Sequence, residues 1–164
     1  MKSIYIAIFV LGALFSKAQT NLYNKLSSYL TGQTKELLVN QRLIAINVWS
    51  ASDKNSRDLN IEFEKAFKAF DYAKLKGGNK GIIVLNINID SNKNINSTSN
   101  ANIILNKDGI TKMINIQNDN ADILKEMKGK SSGYNIVFDS NGKMVYENLA
   151  PASVFKSIQQ LITR

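Results

Sequence analysis

The side chains able to do chemistry are few, and most stand just beyond one apolar run. The stretch Leu43-Ile-Ala-Ile-Asn-Val-Trp-Ser-Ala-Ser-Asp-Lys-Asn-Ser-Arg57 places Asp53, Lys54 and Ser56 close together after Trp49. No cysteine and no histidine occurs in the 164 residues. Thiol catalysis, disulfides, Cys-based zinc sites, haem-thiolate ligation and Ser-His or Cys-His pairs are therefore excluded. Acid/base work is left to carboxylates, lysine or tyrosine. The one enzymatic arrangement on offer is Asp53 as acid/base, assisted by Lys54 or Tyr134. A serine without a base is a poor nucleophile, so Asp53 and Ser56 are expected to cap a helix. Asp90-x-Asn92-x-Asn94 echoes the opening of a calcium loop, but Ile95 replaces the required Gly and Ala101 the bidentate Glu. It reads as an Asn-rich loop, and no metal or cofactor site is expected.

The elements that must position these residues follow from periodicity. Leu43 to Trp49 is almost continuously apolar, as a strand buried on both faces requires. Ser56 stands where a helix N-cap belongs. Leu59, Phe63, Ala66, Phe67, Phe70 and Ala73 then recur at spacings of three and four, a stripe reaching Lys76 before Gly77-Gly78 stops it. Asn47, polar inside its strand, needs a hydrogen-bond partner. Gly81 to Ile89 is a second strand, 90–100 a loop, Thr98 to Asn106 a helix closed by Asp108-Gly109, and Thr111 to Ile116 a short strand. Helices are expected over Asn21 to Tyr29, ended by Gly32, and over Ala121 to Lys128. Tyr134 to Asp139 and Lys143 to Asn148 flank an Asn-Gly turn, a hairpin signal. Pro151 opens a last helix burying Val154, Phe155, Ile158, Leu161 and Ile162. Strand-helix-strand units force parallel crossovers, and the hairpin adds an antiparallel edge. The expectation is an α/β fold of three layers, a central mixed sheet with helices on both faces.

Residues 1–18 have the pattern of a secretory signal peptide: Lys2, the apolar run Ile4 to Phe15, then Ser16-Lys-Ala18 before Gln19. The run is shorter than the roughly 20 residues a permanent span needs. Cleavage near Ala18-Gln19 and an exported, periplasmic or secreted, single domain over 19–164 are expected. The net charge is +8, but the lysines are scattered rather than set in a stripe with exposed aromatics, so no nucleic-acid partner is expected.

Two motifs carry a family resemblance. Ile46-Asn47-Val48-Trp49-Ser50-Ala51-Ser52 is similar to the V-N-F-W-A-S-W run before the first cysteine of exported thiol-disulfide oxidoreductases in the thioredoxin superfamily. Gly133-Tyr-Asn-Ile-Val-Phe-Asp139 with Asn141-Gly142-Lys143 resembles their P-T-T-F-L-I-D…D-G-K segment. The resemblance covers roughly residues 35 to 164, and Arg57 matches an Arg that follows the second cysteine. It implies a thioredoxin-like fold with Asp53 and Ser56 at the sulfur positions, Ser52 at the flanking Trp and Ile61 at the helix proline. Gly133 falls at the cis-proline, and the chain's one proline, Pro151, lies elsewhere. A non-proline cis bond costs about 2.5–4 kcal/mol, so Gly133 is expected to be trans.

With every redox residue replaced, the resemblance implies a redox-inactive domain. Its expected role is binding a protein or peptide in the cell envelope, or scaffolding. The candidate groove comprises Trp49, Ser52, Asp53, Lys54, Asn55, Ser56, Gly133 and Tyr134. Trp49 is expected partly buried beside the loop. Family members bind extended segments along the backbone before the cis-proline, a mode needing no sulfur. The alternatives are a non-thiol enzyme using Asp53, Lys54 and Tyr134, or a vestigial structural paralogue.

Overall fold

A computed structural model describes residues 21–32, 42–74, 80–90, 97–116 and 121–161. The leader expected over 1–18, the Gly77-Gly78 stop and most of the Asn-rich loop lie outside the described residues. Helix α1 occupies residues 21–32. It is followed by β1 (Leu43–Trp49), α2 (Lys54–Phe70), β2 (Ile82–Asn88), α3 (Ser97–Lys107), β3 (Ile114–Ile116), α4 (Ala121–Glu126), β4 (Asn135–Phe138), β5 (Met144–Glu147) and α5 (Pro151–Gln159).

The strands form one mixed sheet in the order β3-β2-β1-β4-β5. β1 pairs in parallel with β2 from Leu43↔Ile82 to Trp49↔Asn88, and β2 in parallel with β3. β4 is antiparallel to both β1 and β5. Two successive parallel crossovers step the same way across the sheet, so right-handedness sends α2 and α3 to one face. That face, closed by α5, packs Leu43, Ala45, Trp49, Val84 and Val137 against Leu59, Phe63, Leu105, Val154 and Ile158. The return from β3 to β4 uses the other face. There α1 and α4 cover Ile44, Ile46, Val48, Ile83, Leu85 and Ile136 with Leu22, Leu26, Leu30, Ile123 and Met127. β1, covered on both sides, is buried at all seven positions. The expected three-layer α/β architecture is the one present.

The stripe expected to run to Lys76 stops earlier: α2 ends at Phe70 with Asp71 as its C-cap. Asp71 is ion-paired to Arg42, and the Ala73 carbonyl accepts the Gly81 amide at 3.0 Å. Gly81 sits at φ 71°, where a Cβ would come within 2.0 Å of the Asp71 carbonyl oxygen. Only glycine lets the turn after α2 lie this close to the start of β2. Among the described residues no helix is long and apolar enough to cross a membrane.

Candidate functional site

The loop joining β1 to α2 is held by side chains at the positions the resemblance gives to sulfur. Asp53 is the N-cap of α2, accepting the Asn55 amide at 3.0 Å. Ser56 is not a cap, as expected from sequence, but a buried residue in the first turn, 0% exposed. Its Oγ accepts the Ser50 amide at 3.2 Å and lies 2.9 Å from the Asp53 carbonyl, to which it donates. Asn47 donates from below to the Ser56 carbonyl at 3.0 Å and to Asn60 Oδ1 at 2.7 Å. The partner expected for Asn47 is therefore the start of α2.

A residue missed as part of this site, Asp90, clamps the loop from β2. Its carboxylate accepts the Ser50 hydroxyl at 2.8 Å and the Ala51 amide at 2.6 Å, and its own amide donates to Asn88 Oδ1. The signal was available: parallel pairing of Trp49 with Asn88 puts any carboxylate just after β2 beside the residues just after β1. Arg57 makes a two-point ion pair with Asp108, Nε to Oδ2 at 2.8 Å and Nη2 to Oδ1 at 2.6 Å, tying α2 to the end of α3.

The candidate groove residues divide sharply. Ser52, Lys54 and Asn55 are exposed, and Asp53 is partly so. Trp49 is fully buried in the α2-face core rather than partly buried, and neither it nor Ser56 can meet a ligand from solvent. Gly133 is in reach of the loop, since a Cβ built on it would stand 3.4 Å from Asn55 Nδ2. Its peptide bond is trans, as expected. The Gly133 amide donates to the Val48 carbonyl at 2.8 Å, and its own carbonyl accepts Asn135 Nδ2. The Tyr134 amide and carbonyl bond to the Ser131 carbonyl and the Val48 amide. The backbone groups of Gly133 and Tyr134 are thus engaged inside the chain.

The three groups proposed for acid/base work are each engaged with a different partner. The Asp53 carboxyl is held below its ordinary range, foremost by the nearby Ser132 hydroxyl, then against partial desolvation by the Asn55 and Ser56 amides. Only the Asn55 bond has full hydrogen-bond geometry; buried Ser132 Oγ makes none, so the helix cap is the defining contact. Lys54 is engaged with Asp58 at 2.6 Å. Burial, and next the Glu147 carboxylate to which its hydroxyl donates at 2.9 Å, push the Tyr134 phenol far above its ordinary value. A strongly ionised carboxylate, a paired lysine and a permanently protonated phenol make a poor acid/base set. Among the described residues no group of three or more acidic side chains could hold a metal. A cavity of about 450 Å³ lined by Lys25, Ser28, Tyr29 and Asp122 lies between α1 and α4, on the other face.

The architecture matches solved thioredoxin-like domains. The thioredoxin domain of a thiol-disulfide oxidoreductase from Bacteroides vulgatus superposes with a TM-score of 0.58 at 15% identity, covering 76% of this chain and 82% of that one. A thiol:disulfide interchange protein from Bacteroides sp. gives 0.56 at 16% identity, covering 76% and 75%. StoA from Bacillus subtilis gives 0.50 at 8%, covering 71% and 82%. No family model and no curated protein matches the sequence. The likeness is one of fold: this chain has a thioredoxin-like fold, and its lack of cysteine accords with a replaced Cys-x-x-C pair.

Proposed function

We propose that this protein is an exported, redox-inactive thioredoxin-like module that holds a protein or peptide partner in the cell envelope through side chains of the β1–α2 loop and the first turn of α2. The observation carrying this reading is the rigid presentation of Ser52, Lys54 and Asn55. Ser56 and Asp90 fix the backbone beneath them by hydrogen bonds. A loop already ordered in the free protein loses less entropy on binding. With the Gly133 and Tyr134 backbone engaged internally, strand addition at that point is disfavoured, and recognition falls to side chains. The enzymatic alternative loses support, because Asp53, Lys54 and Tyr134 each have a different local partner. Export is supported by the pattern of residues 1–18 alone.

The test is site-specific photo-crosslinking in cells. A crosslinker at Asn55 should yield a discrete adduct, absent with the crosslinker at exposed Gln159 on α5, and lost when Lys54→Glu and Ser52→Trp are added. Equal adducts from both positions, or none from Asn55, would overturn the proposal.

A further inference from the structure

Three asparagines stand in register across the interior of the sheet: Asn135 on β4, Asn47 on β1 and Asn86 on β2. Directly opposed residues share a face, here the one covered by α2, from which Asn60 reaches down to Asn47. Asn47, Asn60, Asn86 and Asn135 are all at most 1% exposed. Asn135 is fully engaged: Nδ2 donates to the Gly133 and Leu149 carbonyls, and Oδ1 accepts the Leu149 amide. Its neighbours are not. Asn47 Oδ1, Asn60 Nδ2 and Asn86 Nδ2 are buried with no partner among the described residues.

Reassigning the amides does not repair this. Exchanging oxygen and nitrogen of Asn47 would set its oxygen against the Ser56 carbonyl, which its Nδ2 now reaches at 3.0 Å. That bond and the one to Asn60 are both made by Asn47 Nδ2, and Asn47 Oδ1 and Asn86 Nδ2 make no direct bond to each other. What remains is one acceptor and two donors on neighbouring elements, and buried polar groups in folded proteins rarely go unpaired.

We propose that one ordered water is bound between β1, β2 and α2, donating to Asn47 Oδ1 and accepting from Asn60 Nδ2 and Asn86 Nδ2. These three bonds use both lone pairs and one proton of the water, within the two to four partners typical of buried waters. The site lies under the first turns of α2, so the water joins the two parallel strands to the helix that carries the candidate loop. It is independent of whether that loop binds a partner.

Water-selective NOE spectra of isotopically labelled mature protein test this. The side-chain amide protons of Asn60 and Asn86 should show cross-peaks to a long-lived water, and Asn86→Leu should abolish the Asn60 peak. A high-resolution crystal structure should place one oxygen about 2.7–3.2 Å from all three atoms. Wild-type spectra without these cross-peaks, or a direct Asn86 Nδ2 to Asn47 Oδ1 bond in the crystal, would overturn the proposal. Both readouts use the unaltered protein, so a misfolded Leu variant leaves the test intact.

Discussion

Replacing Asp53 and Ser56 together by cysteine tests the register of the whole loop. N-cap and third helical residue are spaced for the Cα separation of roughly 4.4–6.8 Å that a disulfide requires, so mild oxidation should close the pair. The reduced double variant loses the Asp53 cap, about 1 kcal/mol. It also loses the Ser56 Oγ that accepts the Ser50 amide, leaving a buried donor unpaired at about 1–3 kcal/mol. A loss of about 3 kcal/mol is expected. Closing a loop of four residues returns about 2 kcal/mol by the chain-entropy relation, so the oxidised form should remain about 1 kcal/mol below wild type. Trp49 is the chain's one tryptophan and is 0% exposed, which makes its fluorescence a probe of urea unfolding. At a typical slope near 2 kcal/mol/M, oxidised and reduced midpoints should differ by about 1 M. Alkylation and mass spectrometry count the thiols: two free thiols after prolonged oxidation would refute the register. An oxidised form more stable than wild type would refute the energetic role given to Ser56.

Four further outcomes follow from the same geometry. Desolvation works against ionising buried Glu64, yet the Thr111 and Lys112 amides, the Thr111 hydroxyl and Lys68 hold its pKa below the ordinary glutamate value overall; its contribution is therefore complete above the unfolded value and lost as pH falls through the folded one. Glu64→Gln should lie a constant amount below wild type above about pH 5 and converge with it in acid, as read by urea midpoints across pH; a gap independent of pH would count against this. Gly81→Ala should cost about 2–5 kcal/mol, from the Cβ clash and the positive φ. Gly133→Pro should destabilise by at least about 2 kcal/mol instead of restoring a redox-type loop, because Gly133 sits at φ 88° and its amide bonds Val48; unchanged melting would refute the backbone assignment. The protein should show no dithiothreitol-driven insulin reduction above a blank, since no thiolate can form.

Local patterns carried the fold. The apolar run Leu43–Trp49, the α2 stripe and the Asn141-Gly142 turn each fall where periodicity and turn chemistry put them. They do so because burial on two faces, one face or none writes directly into residue type. The absence of cysteine, a property of composition alone, excluded thiol-disulfide chemistry in this sequence before any coordinates. The end of α2 was legible only in part. Apolar spacing continues to Ala73, but the helix stops where Asp71 meets Arg42 and Gly81 passes beneath, contacts between residues distant in sequence. The same holds for the site. The family resemblance placed Trp49, Asp53 and Ser56 in one candidate groove, with Trp49 partly buried. Strand alternation and packing under α2 instead bury Trp49 and Ser56 and leave Ser52, Lys54 and Asn55 outside. Asp90 joins the loop across 39 positions of sequence because parallel pairing brings the ends of β1 and β2 together. Which side chains form a strand or a helix is a question of neighbours along the chain; which of them meet is set by the sheet's pairing and by the helix laid over it.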